Sequence, residues 1–203
     1  MASSKRCGFS LIELLVVIAV IAIMAALTLT GFNSITGANS ITSSADRIAA
    51  ALDLARQSAM TKNKKIEVRF YESPASGWTN DFRAFQIFEI GDSGSATPLT
   101  KSAALGTPTI IARDTGLSTL LDSARSKAWT TNDPQVSIPS AGTSYACRYL
   151  QFRPDGSTDL AVDAKWHLTV ADAKTPGSAA QPPTNFACIW VEPVSGAVRV
   201  LRP

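Results

Sequence analysis

At 203 residues the chain has room for one modest domain plus one extended element, which excludes two full domains. It carries 19 Lys and Arg against 16 Asp and Glu. Two of the basic residues, Lys5 and Arg6, sit at the extreme N-terminus, and the near-neutral remainder leaves no electrostatic footprint for nucleic acid.

The first element, residues 1–8, is a short basic leader. From Phe9 to Phe32 almost every residue is Leu, Ile, Val, Ala or Met. At about 1.5 Å per residue, a helix over 9–32 spans the roughly 30 Å hydrocarbon core of a bilayer. Lys5 and Arg6 precede it, and no Lys or Arg follows until Arg47, so the positive-inside rule puts the N-terminus in the cytoplasm and the rest outside. A cleaved secretory signal also starts with basic and then apolar residues. Its apolar region is only about 7 to 15 residues long, and a carboxylate such as Glu13 near its start is unusual. Hydropathy alone does not separate the segment from a plain single-pass anchor.

Residues 33–65 continue the helix in amphipathic form. Ile35, Ala38, Ile41, Ala45, Ile48, Leu52, Ala55 and Ala59 recur at steps of three and four, which makes one apolar stripe. Asn39, Ser43, Asp46, Arg47, Asp53, Arg56 and Gln57 occupy the other side, with Asp53 and Arg56 at pairing distance along the helix. No proline occurs before Pro74, so the strongest breaker is absent from about Ser10 to about Thr61. Gly31 and Gly37 are the weak points, each costing about 1 kcal/mol relative to Ala, and bending or local melting is expected there.

The apolar stripe needs a partner, and residues 66–203 supply a β-rich head. Short β-branched or aromatic runs at 66–71, 82–90, 108–112, 148–152, 166–170, 188–192 and 197–201 read as strands. Pro154, Asp155 and Gly156, then Ser195 and Gly196, supply turn chemistry. Leu117, Leu120, Leu121 and Ala124 fit a short helix, while 91–107 and 171–185 read as loops. The predicted class is α+β: a long helix packed on an antiparallel sheet.

Cys7 lies in the leader, leaving Cys147 and Cys188 in the head. An even pair in an exported domain permits one disulfide, and two buried thiols are the other reading.

The stretch Lys5, Arg6, Cys7, Gly8, Phe9, Ser10, Leu11, Ile12, Glu13 resembles the processing site of the prepilin family. That site is a basic leader ending in Gly, then Phe or Met, then an apolar helix with Glu at the fifth mature position. The resemblance implies cleavage between Gly8 and Phe9 by a membrane-embedded prepilin peptidase, which also methylates the new α-amine of Phe9. It implies as partners other pilin or pseudopilin subunits and an inner-membrane assembly platform, with the head periplasmic or extracellular. The residues speak independently for these roles. Gly8 lets a protease approach the backbone closely, and an intramembrane acid such as Glu13 is by default a functional candidate. Ser10 and Glu13 also stand at capping-box spacing. The segment from Leu54 to Phe70, the Phe152, Pro154, Gly156 turn, and Gly196, Val198 and Val200 look like H-type minor pseudopilins and their FimT-like pilin relatives. The region 91–146 is longer than that pattern.

Enzyme signals are poor. His167 sits in an alternating strand without an acid or Cys cluster, and no phosphate loop, zinc spacing or nucleophile elbow appears, so no catalytic residue, metal or cofactor is expected. Trp78, Trp129, Trp166 and Trp190 read as core or loop packing. The expected function is a structural subunit of a type II secretion pseudopilus or a type IV pilus. The alternative is a membrane-tethered module capturing DNA or a secreted substrate, for which Lys62, Lys64, Lys65 and Arg69 could form a local basic patch.

Overall fold

The computed structural model describes residues 11–73, 81–127 and 147–202, with side chains described throughout these ranges except at 26–38 and at Ser73. By its contacts the chain divides into two compact units, Met1–Ala38 and Asn39–Pro203.

One helix, α1, runs Leu11–Lys62. It continues through Gly31 and Gly37, so the local melting expected there is not seen. In the first unit the described side chains from Leu11 to Ala25 are all exposed. Among the described residues no helix is long and apolar enough to cross a membrane. The expected crossing segment, 9–32, reaches past the described side chains at both ends.

In the second unit the periodicity holds. Ile41, Ala45, Ile48, Leu52, Ala55 and Ala59 are at most 3% exposed and form the helical side of the main core. Ile35 and Ala38 lie outside the described side chains. Among the described residues the expected Asp53–Arg56 ion pair does not form. Arg56 instead reaches the turns at Gly156 and Gly196, where Cβ atoms would come within 3.6 and 3.3 Å of its Nε.

Among the described residues ten strands follow: β1 (Lys65–Ser73), β2 (Asp81–Ile90), β3 (Ala96–Pro98), β4 (Ala103–Ala104), β5 (Thr109–Ile111), β6 (Ser126–Lys127), β7 (Cys147–Phe152), β8 (Trp166–Asp172), β9 (Phe186–Val191) and β10 (Val198–Leu201). They form one sheet in the order β10-β9-β8-β5-β2-β1-β7-β6, with β3 and β4 also paired to β2. Every described ladder is antiparallel. The seven expected strands and the α+β class are therefore observed. Within 91–107, read as loop, β3 and β4 are short additions, and Leu120, Leu121 and Ala124 lie in two 3₁₀ turns, Thr119–Leu121 and Ser123–Arg125.

Alternation decides what each strand buries. Ile66, Val68 and Phe70 of β1, Leu150 and Phe152 of β7, and Ile189 and Val191 of β9 join the helical stripe in the core. The other face is not uniformly wet. Tyr71, Ala84, Phe88 and Cys147 form a second buried cluster there, beside Glu67 and Arg69, whose side chains are each 4% exposed. Arg69 Nε donates to Glu67 Oε1 at 2.5 Å, Lys127 Nζ approaches the same oxygen at 3.2 Å, and the Arg69 guanidinium lies 4.5 Å from the Phe88 ring centroid.

Candidate processing and assembly site

The candidate site begins where an apolar run meets a single charge. Glu13 is the only charged residue between Arg6 and Asp46. It occupies the first turn of α1, where a carboxylate favours the positive end of the helix dipole. Ile12, Val16 and Val17 line with it a shallow recess of about 330 Å³. Leu11 is 83% exposed, Ile12 70% and Ile23 63%, so this helix carries a large apolar surface with one acid in it. Isolated exposed apolar side chains are ordinary, but a contiguous surface of this kind marks a contact with lipid or protein. Gly8, Phe9 and Ser10, hence the expected cleavage position and the capping-box partner, lie outside the described residues.

Residues 3–29 match the family model described as the prokaryotic N-terminal methylation motif. The chain carries a prepilin-type N-terminus. The matched span takes in Gly8, Phe9 and Glu13 and ends in the apolar run. Among solved structures, the chain is similar to the minor pseudopilin EpsH from the type II secretion system of Vibrio cholerae, at 12% identity over 81% of this chain and 98% of that one, with a TM-score of 0.44. It is also similar to the type IV minor pilin FimU of Pseudomonas aeruginosa, at 15% identity over 81% of this chain and 89% of that one, TM-score 0.43. No curated protein matches the chain significantly.

The other expected sites are arranged differently from the sequence reading. The bridge between Cys147 and Cys188 is not formed, and both remain thiols. Cys147 on β7 stands between Tyr71 of β1 and Lys127 of β6, and Cys188 on β9 stands between Thr169 of β8 and Leu201 of β10. Each thus has another strand on both sides, and the two do not face each other within the roughly 7 Å Cα separation a disulfide needs. The Cys147 thiol reaches the Lys127 carbonyl at 3.7 Å, and burial pushes the Cys188 thiol above its ordinary pKa.

The basic patch does not assemble either. Lys62 pairs with Glu89 at 2.9 Å, Lys64 approaches Asp92 at 3.4 Å, and Arg69 is buried against Glu67. Three of the four cations are thereby matched by acids, and nothing resembling a phosphate-tracking stripe is left.

Two functional candidates escaped the sequence reading. His167 and Trp190 are cross-strand neighbours on β8 and β9, and with Lys165, Cys188 and Leu201 they line a surface recess of about 420 Å³. The signal was present as alternation: His167, Cys188 and Trp190 are the outward positions of their strands. Their mutual register depends on how distant segments pair.

Proposed function

We propose that the chain is the precursor of a structural pilus or pseudopilus subunit. Prepilin peptidase cuts it between Gly8 and Phe9 and methylates the Phe9 amine. The helix from Phe9 then anchors it in the inner membrane, crossing over 9–32 with the N-terminus cytoplasmic and the head, 66–203, outside. Assembly on an inner-membrane platform transfers that helix from lipid into a bundle of other subunits' helices.

The observation that carries the reading is Glu13 as the lone charge of an exposed apolar helix inside the matched methylation motif. An acid there is costly in lipid, by about 2.5 to 3.5 kcal/mol at a membrane centre and less near an end, and an opposite charge within a helix bundle offsets that cost. The positive α-amine of a neighbouring subunit's Phe9 has the required sign, and it exists only after cleavage. Processing and assembly are thereby linked through one charge pair.

N-terminal sequencing after coexpression with a prepilin peptidase tests this directly. A mature chain beginning at methylated Phe9 is the expected result. A start near Thr30 would establish a conventional signal peptide, and an intact Met1 a simple anchor.

A further inference from the structure

The outer face of β8, β9 and β10 holds a built recess that the assembly reading does not use. Strand register creates it: His167 lies opposite Trp190, and Cys188 opposite Leu201, so alternation brings all four to one face. With Lys165 just ahead of β8 they line a shallow, open recess of about 420 Å³. Trp190 and Cys188 are half-buried, while Leu201 is 53% exposed. Arg199, opposite Trp190 across the β9–β10 ladder, places its guanidinium 5.9 Å from the indole centroid.

The cations bordering this apolar recess, Lys165 and Arg199, are exposed to solvent. Among the described residues the Lys165 ammonium, the Arg199 guanidinium and the Trp190 indole N–H have no hydrogen-bond or ion-pair partner. His167 meets Thr119 Oγ1 through Nδ1 at 3.3 Å. No carboxylate lines the recess. A surface with two cations and an indole donor around a hydrocarbon floor is complementary to an apolar group that carries a carboxylate.

The adjoining strand selects the form of that ligand. β10 ends the sheet order, and among the described residues it pairs only with β9, so its second edge is open. An open edge beside a side-chain pocket is the arrangement used in strand addition, where main-chain bonds give affinity and alternate side chains give specificity. We infer that β10 accepts an extended acidic peptide segment of another protein, which adds as a further strand and seats an apolar side chain against Trp190 and Leu201 while its carboxylates meet Lys165 and Arg199. This inference goes beyond the subunit reading and does not depend on it, since the surface belongs to the head and is present before assembly.

The test uses the full chain in detergent micelles and a fluorescein-tagged hexapeptide that alternates aspartate with phenylalanine and valine. Saturable anisotropy binding that weakens with added salt, together with slowed amide exchange across Arg199–Leu201, is expected. Lys165→Glu, an exposed position, should weaken binding at least about tenfold, and Trp190→Ala should do the same. A lysine-for-aspartate peptide, and a copy N-methylated at alternate residues so that it cannot pair as a strand, should both fail to bind. The inference is overturned if the lysine peptide or the N-methylated copy binds as well as the acidic one, if Lys165→Glu leaves affinity unchanged, or if the acidic peptide does not saturate at millimolar concentration.

Discussion

A Cβ placed on Gly196 would fall 2.2 Å from the carbonyl oxygen of Gly156, so the β9–β10 turn and the turn that follows β7 meet backbone to backbone. Both glycines have positive φ, 64° and 84°. The two turns are also tied by Thr158, whose N–H and hydroxyl donate to the Pro193 carbonyl at 3.0 and 2.9 Å. Both pack on α1, where Arg56 and Met60 fill the space a side chain at either position would need. Gly196→Ala should therefore cost about 2 to 4 kcal/mol, from the left-handed backbone and the steric clash together. Gly94 also has positive φ, 80°, but nothing lies within 4 Å of its would-be Cβ. Gly94→Ala should cost only about 1 kcal/mol, from the backbone alone. Urea unfolding of both variants checks the contrast, and equal losses would show that the Gly156 contact contributes nothing.

This junction was partly legible in the sequence. The Pro154, Asp155, Gly156 and Ser195, Gly196 groups announce turns because each residue type has a local conformational reason to be there. That the two turns touch is a long-range fact carried by no local pattern. The same division runs through the molecule. The helical stripe from Ile41 to Ala59 and the seven main strands were readable from periods of 3.6 and 2, whereas β3 and β4, set among Gly, Ser, Thr and Pro, had no period to read. Cys188 fell within the expected strand 188–192 and Cys147 one residue ahead of the expected strand 148–152, yet strand order decided that they do not meet. Arg69 looked like part of a basic patch because its neighbours in sequence are cations, but β1 turns it to a buried face where Glu67, two residues away, takes its charge.

Breaking that pair should be expensive. With Glu67 and Arg69 both 4% exposed, Glu67→Ala leaves the Arg69 guanidinium in a low-dielectric setting with its carboxylate removed. A loss of about 3 to 5 kcal/mol is expected. The double variant Glu67→Leu, Arg69→Met should recover most of it, since replacing both charges removes the desolvation penalty together with the attraction. Chemical denaturation of single and double variants measures this, and strict additivity would rule the coupling out.

Tyr71 gives the fold an alkaline limit. Burial foremost, with Cys147 adding to it, raises its phenol well above the ordinary value of 10.0. The unfolded chain therefore loses this proton near pH 10 while the folded chain keeps it, so the unfolded state binds fewer protons and stability falls as pH rises beyond about 10. Melting temperatures followed upward from pH 8 should show this decline, and Tyr71→Phe should flatten it. An unchanged slope in the variant would assign the alkaline loss to other groups.

The thiols should react separately. Cys147 is 3% exposed and Cys188 half-buried, so alkylation of the native chain should modify Cys188 first and Cys147 only on unfolding. Because burial raises the Cys188 pKa, its labelling should be slow at neutral pH and accelerate as pH rises. Intact mass before and after reduction should show no linked pair. A mass gain on reduction that maps to Cys147 and Cys188 would contradict the strand order.

Glu13 separates a filament subunit from a tethered module that merely shares an apolar helix. Glu13→Leu removes an acid from a hydrocarbon surface, so membrane insertion should be equal or better. The head should fold as before, because among the described side chains those of α1 that join the core begin at Ile41, and Glu13 is exposed. Leader cleavage should also persist, since the proposed scissile bond between Gly8 and Phe9 is four residues or more from Glu13. Assembly should fail: within a bundle of helices the dielectric is low, a carboxylate facing a neighbour's α-amine is strongly attracted, and losing that contact removes the force that fixes axial register. Glu13→Asp, with the charge kept but its reach shortened, should assemble partially, whereas Glu13→Gln should behave like Leu. The comparison is of membrane level, processed fraction and recovery in sheared filaments or crosslinked subunit complexes. If Glu13→Leu is processed and incorporated as well as the parent chain, charge pairing is not the mechanism, and Glu13 reverts to capping the first turn of α1 with Ser10.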